Sequence, residues 1–238
     1  MVEPELPLIV LTRPAGRNEP IATELVEHGM RVMILPALTL EVLDDQQVPL
    51  ANAYDLLVFV SRQAVATYFD LYRGAWPGNV CAAAVGQATA QALSEYVPGA
   101  CILAPEATSA QDSEALLALI DQGSHSFGRV LILRGQQGRE WLADEFERRG
   151  ATVMRHALYR RTPTLWTREQ YEDVFSGRPG VMLLTSIESL EAVHQGVQRY
   201  GLSWPNTLRF VVIHARIAQR LQSILQGSGA AGVPWVKI

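Results

Sequence analysis

Two arginines stand at matching places in the chain, Arg13 in Leu11-Thr12-Arg13-Pro14 and Arg134 in Leu133-Arg134-Gly135-Gln136-Gln137-Gly138. Each follows a short apolar run and precedes a stretch with helical period. Where a strand runs into a helix, the first N–H groups are free and the helix dipole is positive, so anions are favoured there. Ser61, Ser186 and the segment Gly86-Gln87-Ala88-Thr89 occupy the same kind of junction. Taken singly, a Ser or Thr there reads as a helix cap, and an arginine as a solvated side chain at a helix start. Taken together, Arg13, Ser61, Gly86, Thr89, Arg134, Gly135 and Ser186 read as donors to one extended, polyanionic ligand lying in a cleft between two lobes.

Other chemistries find little support. Gly227-Ser228-Gly229-Ala230-Ala231-Gly232 spells the dinucleotide fingerprint, but it follows a helical stretch and precedes the last strand. A phosphate loop needs the reverse order, so this segment reads as a turn. No G-x-S-x-G elbow is present, and the acidic pair Asp44-Asp45 lies in a polar, solvated loop. The histidines (His28, His125, His156, His194 and His214) share no ligand spacing, and no C-x-x-C occurs, so no metal is expected.

Around these residues, a chain of 238 residues with 48% hydrophobic and 18% charged side chains can bury a sizeable core. Twenty basic against 24 acidic residues give a net charge of −4, which provides no global field for nucleic acid or anionic lipid. All basic residues but Lys237 are arginines, so a P-loop lysine or a pyridoxal Schiff base is excluded. Met1-Val2-Glu3-Pro4-Glu5 carries acids where a secretory signal carries bases, and no apolar run approaches a membrane span. The expectation is a cytoplasmic protein in which Cys81 and Cys101 are buried free thiols.

Ten short apolar runs, at 8–11, 31–35, 56–60, 81–85, 101–103, 130–133, 153–158, 181–184, 210–213 and 234–237, alternate with amphipathic stretches. This alternation predicts an α/β protein with parallel sheets, and ten strands divide best into two five-stranded sheets. A repeat supports the division. Leu11-Thr12-Arg13, Glu19, Glu24, Gly29 and Val32-Met33 align with Ile132-Leu133-Arg134, Glu140, Glu145, Gly150 and Val153-Met154. A second pair aligns 57–61 with 182–186 and Ala90-Gln91-Ala92-Leu93 with Ala218-Gln219-Arg220-Leu221. The chain is an A-B-A′-B′ duplication. Extended segments 36–41 and 157–162 follow the second strand of each A unit and read as a linker between lobes.

The ordered set of segments L-T-R-P (11–14), F-V-S-R-Q-A-V (59–65), A-V-G-Q-A-T-A (84–90), L-I-L-R-G-Q-Q-G-R-E (131–140), L-Y-R-R-T (158–162) and L-T-S (184–186) resembles the uroporphyrinogen-III synthase family over the whole chain. The resemblance implies two flavodoxin-like lobes joined by a two-stranded β-ladder. Residues 1–36 with 163–238 would form one lobe, 42–158 the other, and 37–41 with 159–162 the linkers. It implies closure of hydroxymethylbilane, a linear tetrapyrrole with eight carboxylates, to uroporphyrinogen III, with inversion of the terminal ring and loss of water. Neither metal nor organic cofactor is implied, and a monomer suffices. Tyr159 falls on the family's functional tyrosine, placed to assist departure of the hydroxyl; read without the family, it is an amphipathic linker residue. Ser61, Thr89 and Ser186 fall on substrate-contacting positions. At His214-Ala215-Arg216-Ile217 the chain departs from the family's Gly-x-Thr-Thr-like segment, and Arg216 offers a charge-assisted bond in its place.

Two other classes compete with a cyclising enzyme. One is a two-lobed, non-enzymatic binding protein or sensor for an anionic small molecule. The other is a flavin mononucleotide carrier, which would need a Ser/Thr-rich phosphate loop that Thr12-Arg13-Pro14 does not supply.

Overall fold

A computed structural model describes residues 6–43, 47–123, 125–230, 232 and 234–237. The opening residues 1–5 and the Asp44-Asp45 pair lie outside the described residues. In chain order the elements are β1 (Leu8–Leu11), α1 (Glu19–Glu27), β2 (Arg31–Ile34), β3 (Leu38–Val42), β4 (Leu56–Phe59), α2 (Arg62–Leu71), β5 (Cys81–Ala84), α3 (Gln87–Tyr96), β6 (Ile102–Leu103) and α4 (Ser113–Gln122). There follow β7 (Arg129–Gly135), α5 (Trp141–Arg148), β8 (Thr152–Pro163), α6 (Arg168–Val174), β9 (Gly180–Leu184), α7 (Ile187–Arg199), β10 (Leu208–Val212), α8 (Ala215–Gly227) and β11 (Trp235–Lys237). Contacts divide the chain into two compact units, Met1–Leu40 with Thr162–Ile238, and Glu41–Arg161.

The first unit carries a five-stranded sheet, ordered β11-β10-β9-β1-β2, in which every pairing is parallel. Parallel strands are covered by helices and so become apolar. Val10, Met182, Leu184, Phe210 and Val212 accordingly pack with Leu190, Val193 and Val197 of α7 and with Ile217, Leu221 and Ile224 of α8. The second sheet runs β3-β8-β7-β4-β5-β6. Its inner strand β4, Leu-Leu-Val-Phe, is wholly buried. Leu56 and Val58 meet Leu116, Ile120, Leu142 and Phe146, and Phe59 packs edge-on against Tyr68 with ring centroids 5.5 Å apart. Both orders are one pattern: β7 and β8 stand as β1 and β2 do, and β4-β5-β6 stand as β9-β10-β11 do. The A-B-A′-B′ repeat is therefore also a repeat of sheet topology. Its shared helix stop is visible in detail. Gly29 and Gly150 both hold left-handed φ (76° and 86°). Beyond them Met30 N–H donates to Leu25 O and Ala151 N–H to Phe146 O, the same six-residue closure.

All ten expected strands form, and the structure makes three corrections. The second sheet has six strands rather than five, because the extended segment at 36–41, read as a linker, contains most of β3. Beside it, β8 continues through 159–162 to Pro163 instead of stopping at Leu158, since β3 offers its backbone a partner. Cys101 is exposed and Cys81 half-buried, not both buried, because Cys81 starts β5 and Cys101 precedes the two-residue edge strand β6. No helix among the described residues is long and apolar enough to cross a membrane.

One packing contact tolerates no added atom. A Cβ at Gly196 on α7 would collide with the Tyr171 ring, which is buried among Trp166 and Tyr200. Gly196→Ala should therefore lower stability by about 1–3 kcal/mol or more, and Tyr171→Leu in the same chain should recover part of it. Denaturant melts of the two variants check this.

The buried ring atoms His156 Nε2 and His194 Nδ1 have no hydrogen-bond partner among the described residues. Burial lowers the pKa of both imidazoles, so the fold holds them neutral. The unfolded chain takes up protons below its ordinary value of about 6.5, and so binds more protons than the native state there. Stability from these residues is complete above that pH and is lost as pH falls below it. Melting temperature should decline from pH 7.5 to 5.5, before the ordinary carboxylate range is reached, and His194→Phe should flatten the decline.

Candidate active site

In the second unit the carboxyl ends of β4, β7 and β8 enclose a cavity of about 220 Å³. It lies where the strand order reverses between β7 and β4, the place at which open parallel sheets collect ligands. Ser61 caps α2 there: its Oγ accepts from Ala64 N–H at 3.1 Å and stands 3.0 Å from the Tyr159 hydroxyl. Tyr159 is only 2% exposed. The β7–β8 register slips between Arg134 and Gly135, so that Tyr159 rather than Leu158 faces Gly135. A Cβ on Gly135 would come 2.8 Å from the Tyr159 ring. Gly135 thus has a reason the sequence did not reveal: it leaves room for that ring.

Three arginines line the same cavity. Arg134 is buried, donates from Nε to Gly135 O at 3.1 Å and pairs through Nη1 with Glu140 at 2.6 Å. Arg139 forks onto Glu114, at 2.9 and 3.3 Å. Arg161 has no ion pair among the described residues. Gly86 caps α3, but Gln111 Oε1 already accepts from Gln87 N–H at 2.7 Å, and the Gln111 side chain lies where a Gly86 Cβ would point. Thr89, in the first turn of α3, is 7% exposed. These two positions do not line the cavity, whereas Ser61, Arg134, Gly135 and Tyr159 do.

The first unit holds the repeat-related positions. The Arg13 side chain borders an apolar hollow of about 580 Å³ over Ile9, Leu11, Val181 and Leu183. The amides beside it are taken: Glu19 Oε1 accepts from Gly16 N–H at 3.2 Å and Oε2 from Asn18 N–H at 2.9 Å. The bond from its own amide lowers the Glu19 pKa most; burial opposes it, and the bonds from Gly16 and Asn18 lower it further. Ser186 caps α7 by accepting from Ser189 N–H at 3.0 Å. It shares a pocket of about 340 Å³ with Thr185, His214 and Arg216, and His214 Nδ1 accepts from Arg216 N–H at 3.2 Å to cap α8.

Sequence reasoning missed Arg161, Glu140 and Gln111. Arg161 was readable, because it stands two residues beyond Tyr159 on an extended segment and so shares a face with it. The aligned glutamates Glu19 and Glu140 were seen only as repeat markers. Nothing local points from Gln111 to a helix 24 residues earlier.

A profile of the family described as Uroporphyrinogen-III synthase HemD matches residues 19–225. The chain is 30% identical over 222 residues to uroporphyrinogen-III synthase of Escherichia coli K12, covering 89% of each chain. It is 31% identical over 222 residues to the Salmonella typhimurium protein of that name, covering 88% of each. Among solved structures, uroporphyrinogen-III synthetase from Helicobacter pylori 26695 aligns with a TM-score of 0.57 at 15% identity, over 98% of this chain and 92% of that one. A mutant uroporphyrinogen III synthase from Thermus thermophilus gives 0.54 at 18% identity with the same coverage. At such identities the structures speak for the fold alone, and it is the family profile and the curated relatives that decide. This chain belongs to the uroporphyrinogen-III synthase family.

Proposed function

We propose that this chain closes hydroxymethylbilane to uroporphyrinogen III in the cytoplasm as a monomeric, cofactor-independent lyase of tetrapyrrole biosynthesis. Its two units read as flavodoxin-like lobes. The strand order β2-β1-β9-β10-β11 and its counterpart β8-β7-β4-β5-β6 support that reading, and β3 and β8, each carrying one unit boundary, read as the ladder joining them. No nucleic acid or membrane partner is needed.

The observation that carries the mechanism is the hydroxyl pair Ser61–Tyr159 in a cavity lined by arginines. Ala64 N–H fills one lone pair of Ser61 Oγ. Ser61 then has its own proton to give to Tyr159 Oη, and the Tyr159 proton is left to point at the departing hydroxyl of the substrate. A phenol hydroxyl is a hydrogen-bond donor and can make that bond. Loss of water leaves an electrophilic azafulvene that cyclises unaided to the wrong isomer, so holding the chain in the productive fold matters as much as the proton. Arg161, which has no ion pair among the described residues, takes a substrate carboxylate beside Tyr159. Arg13, Ser186 and Arg216 supply donors from the first unit, and Gly86 and Thr89 shape the α3 junction. A non-enzymatic sensor would have no use for a polarised phenol in the cavity.

Two variants test these roles by chromatographic separation of isomers I and III formed from fresh hydroxymethylbilane. Tyr159→Phe should lower kcat for isomer III by about 10²-fold. Its melting temperature should drop only by the few degrees that one hydrogen bond of about 1 kcal/mol supports. Unchanged kcat would return Tyr159 to a packing role. Arg161→Gln should raise KM about 10- to 100-fold with kcat nearly kept, since a charge-assisted contact of about 1.5–3 kcal/mol is made in ground and transition states alike. An unaltered KM would remove Arg161 from the site.

A further inference from the structure

Cys81 opens β5 and Cys101 immediately precedes β6, at the edge of the second sheet. The two strands are parallel and in register, Ala82 opposite Ile102 and Ala83 opposite Leu103. Ala82 N–H donates to Cys101 O at 2.8 Å. One step back along both strands, Cys81 lies opposite Cys101, and register neighbours in a sheet share a face. Neighbouring strands run about 4.7–4.9 Å apart, inside the Cα separation of about 4.4–6.8 Å that a disulfide spans. The cysteines differ in access: Cys101 is exposed and Cys81 half-buried. Burial first, and then the neighbouring Cys101 thiol, pushes the Cys81 pKa up to about 12.

We infer that Cys81 and Cys101 form a dithiol modification site that a peroxide closes to an intramolecular disulfide. The exposed Cys101 reacts first, as its thiolate attacks one peroxide oxygen. The O–O bond breaks, Cys101 becomes a sulfenic acid, and the departing hydroxide takes the former thiol proton to leave as water. The Cys81 sulfur then attacks the Cys101 sulfur and the S–OH bond breaks. That hydroxide leaves as a second water with the Cys81 proton. Two thiols and one hydrogen peroxide thus yield one disulfide and two waters; the sulfurs lose two electrons and the peroxide oxygens gain them. The bond ties together the ends of the β5–α3–β6 unit, one of whose strands is a two-residue edge. It forms at the amino end of β5, away from the carboxyl ends that bear Ser61 and Tyr159. In a reducing compartment such a pair is reversible.

The test is a peptide map of the whole protein under non-reducing conditions after limited hydrogen peroxide and blocking of remaining thiols. The expected product is a monomer lighter by two hydrogens, in which the Cys81 and Cys101 peptides are joined, with both thiols restored by dithiothreitol. Phenylarsine oxide, a trivalent arsenical that clamps paired thiols, should bind once per chain and protect both from alkylation. Cys101→Ser, at an exposed position, should abolish the joined peptide and the arsenical binding while the protein stays folded. Sulfinic acid on Cys101 with Cys81 free, cross-links between chains, or arsenical binding that survives Cys101→Ser would each overturn the site.

Discussion

A parallel sheet leaves its connections little freedom. Every strand must end where a helix can begin, and the first amides of that helix must find acceptors once the junction is partly buried. This chain meets the requirement at six of these junctions with side-chain acceptors, drawn from several residue types. Ser61, Asp112, Ser186 and His214 accept from their own helices, Gln111 reaches α3 from a later loop, and Glu19 folds back on the turn before α1. The carboxyl ends of both sheets are therefore built from groups needed to end strands and start helices. Function has been laid over a structural necessity: the serine that caps α2 is also the one that meets the Tyr159 hydroxyl.

That overlap explains what could be read beforehand. The ten strands were legible because each is a short apolar run, buried on both faces in inner strands such as β4, and the duplication was legible because Arg13, Glu19 and Gly29 recur as Arg134, Glu140 and Gly150. β3 was not, since Leu38-Thr39-Leu40-Glu41-Val42 alternates across only a few residues after Pro36 and takes its partner from β8, more than a hundred residues away. The junction residues could be located but their acceptors could not. Whether Arg134 faces a ligand or Glu140 depends on side-chain reach, which spacing alone does not encode. Tyr159 came from the family resemblance. Its position against Gly135 follows from a register slip that no periodicity announces.

The close approach of Gly135 to the Tyr159 ring couples two features that look independent. The ring is pinned by β7 on one side and by Ser61 on the other, so the phenol has little rotational freedom left. Preorganisation of this kind lets a weak acid act as a directional donor, because the orientation is settled when the strand folds rather than when substrate arrives. The same residue pair makes the cavity wall intolerant of side chains, which accounts for glycine at the end of a strand otherwise made of bulky residues.

Glu19 and Glu140 occupy corresponding places in the two copies, and each already satisfies the positive groups of its strand end. On the proposed reading of the site, an incoming carboxylate at either place meets not a vacancy but a resident anion of the same chemistry. Its arrival is an exchange in which one carboxylate leaves as another is received, so the net gain is a small difference between two similar interactions. The first consequence is protection: when no substrate is bound, these donors are not left bare to capture stray phosphate or citrate. The second concerns turnover. A product with as many carboxylates as the substrate would be held tightly by a surface of unpaired cations. On that reading the product leaves as Glu19 takes back its amides and Glu140 its arginine.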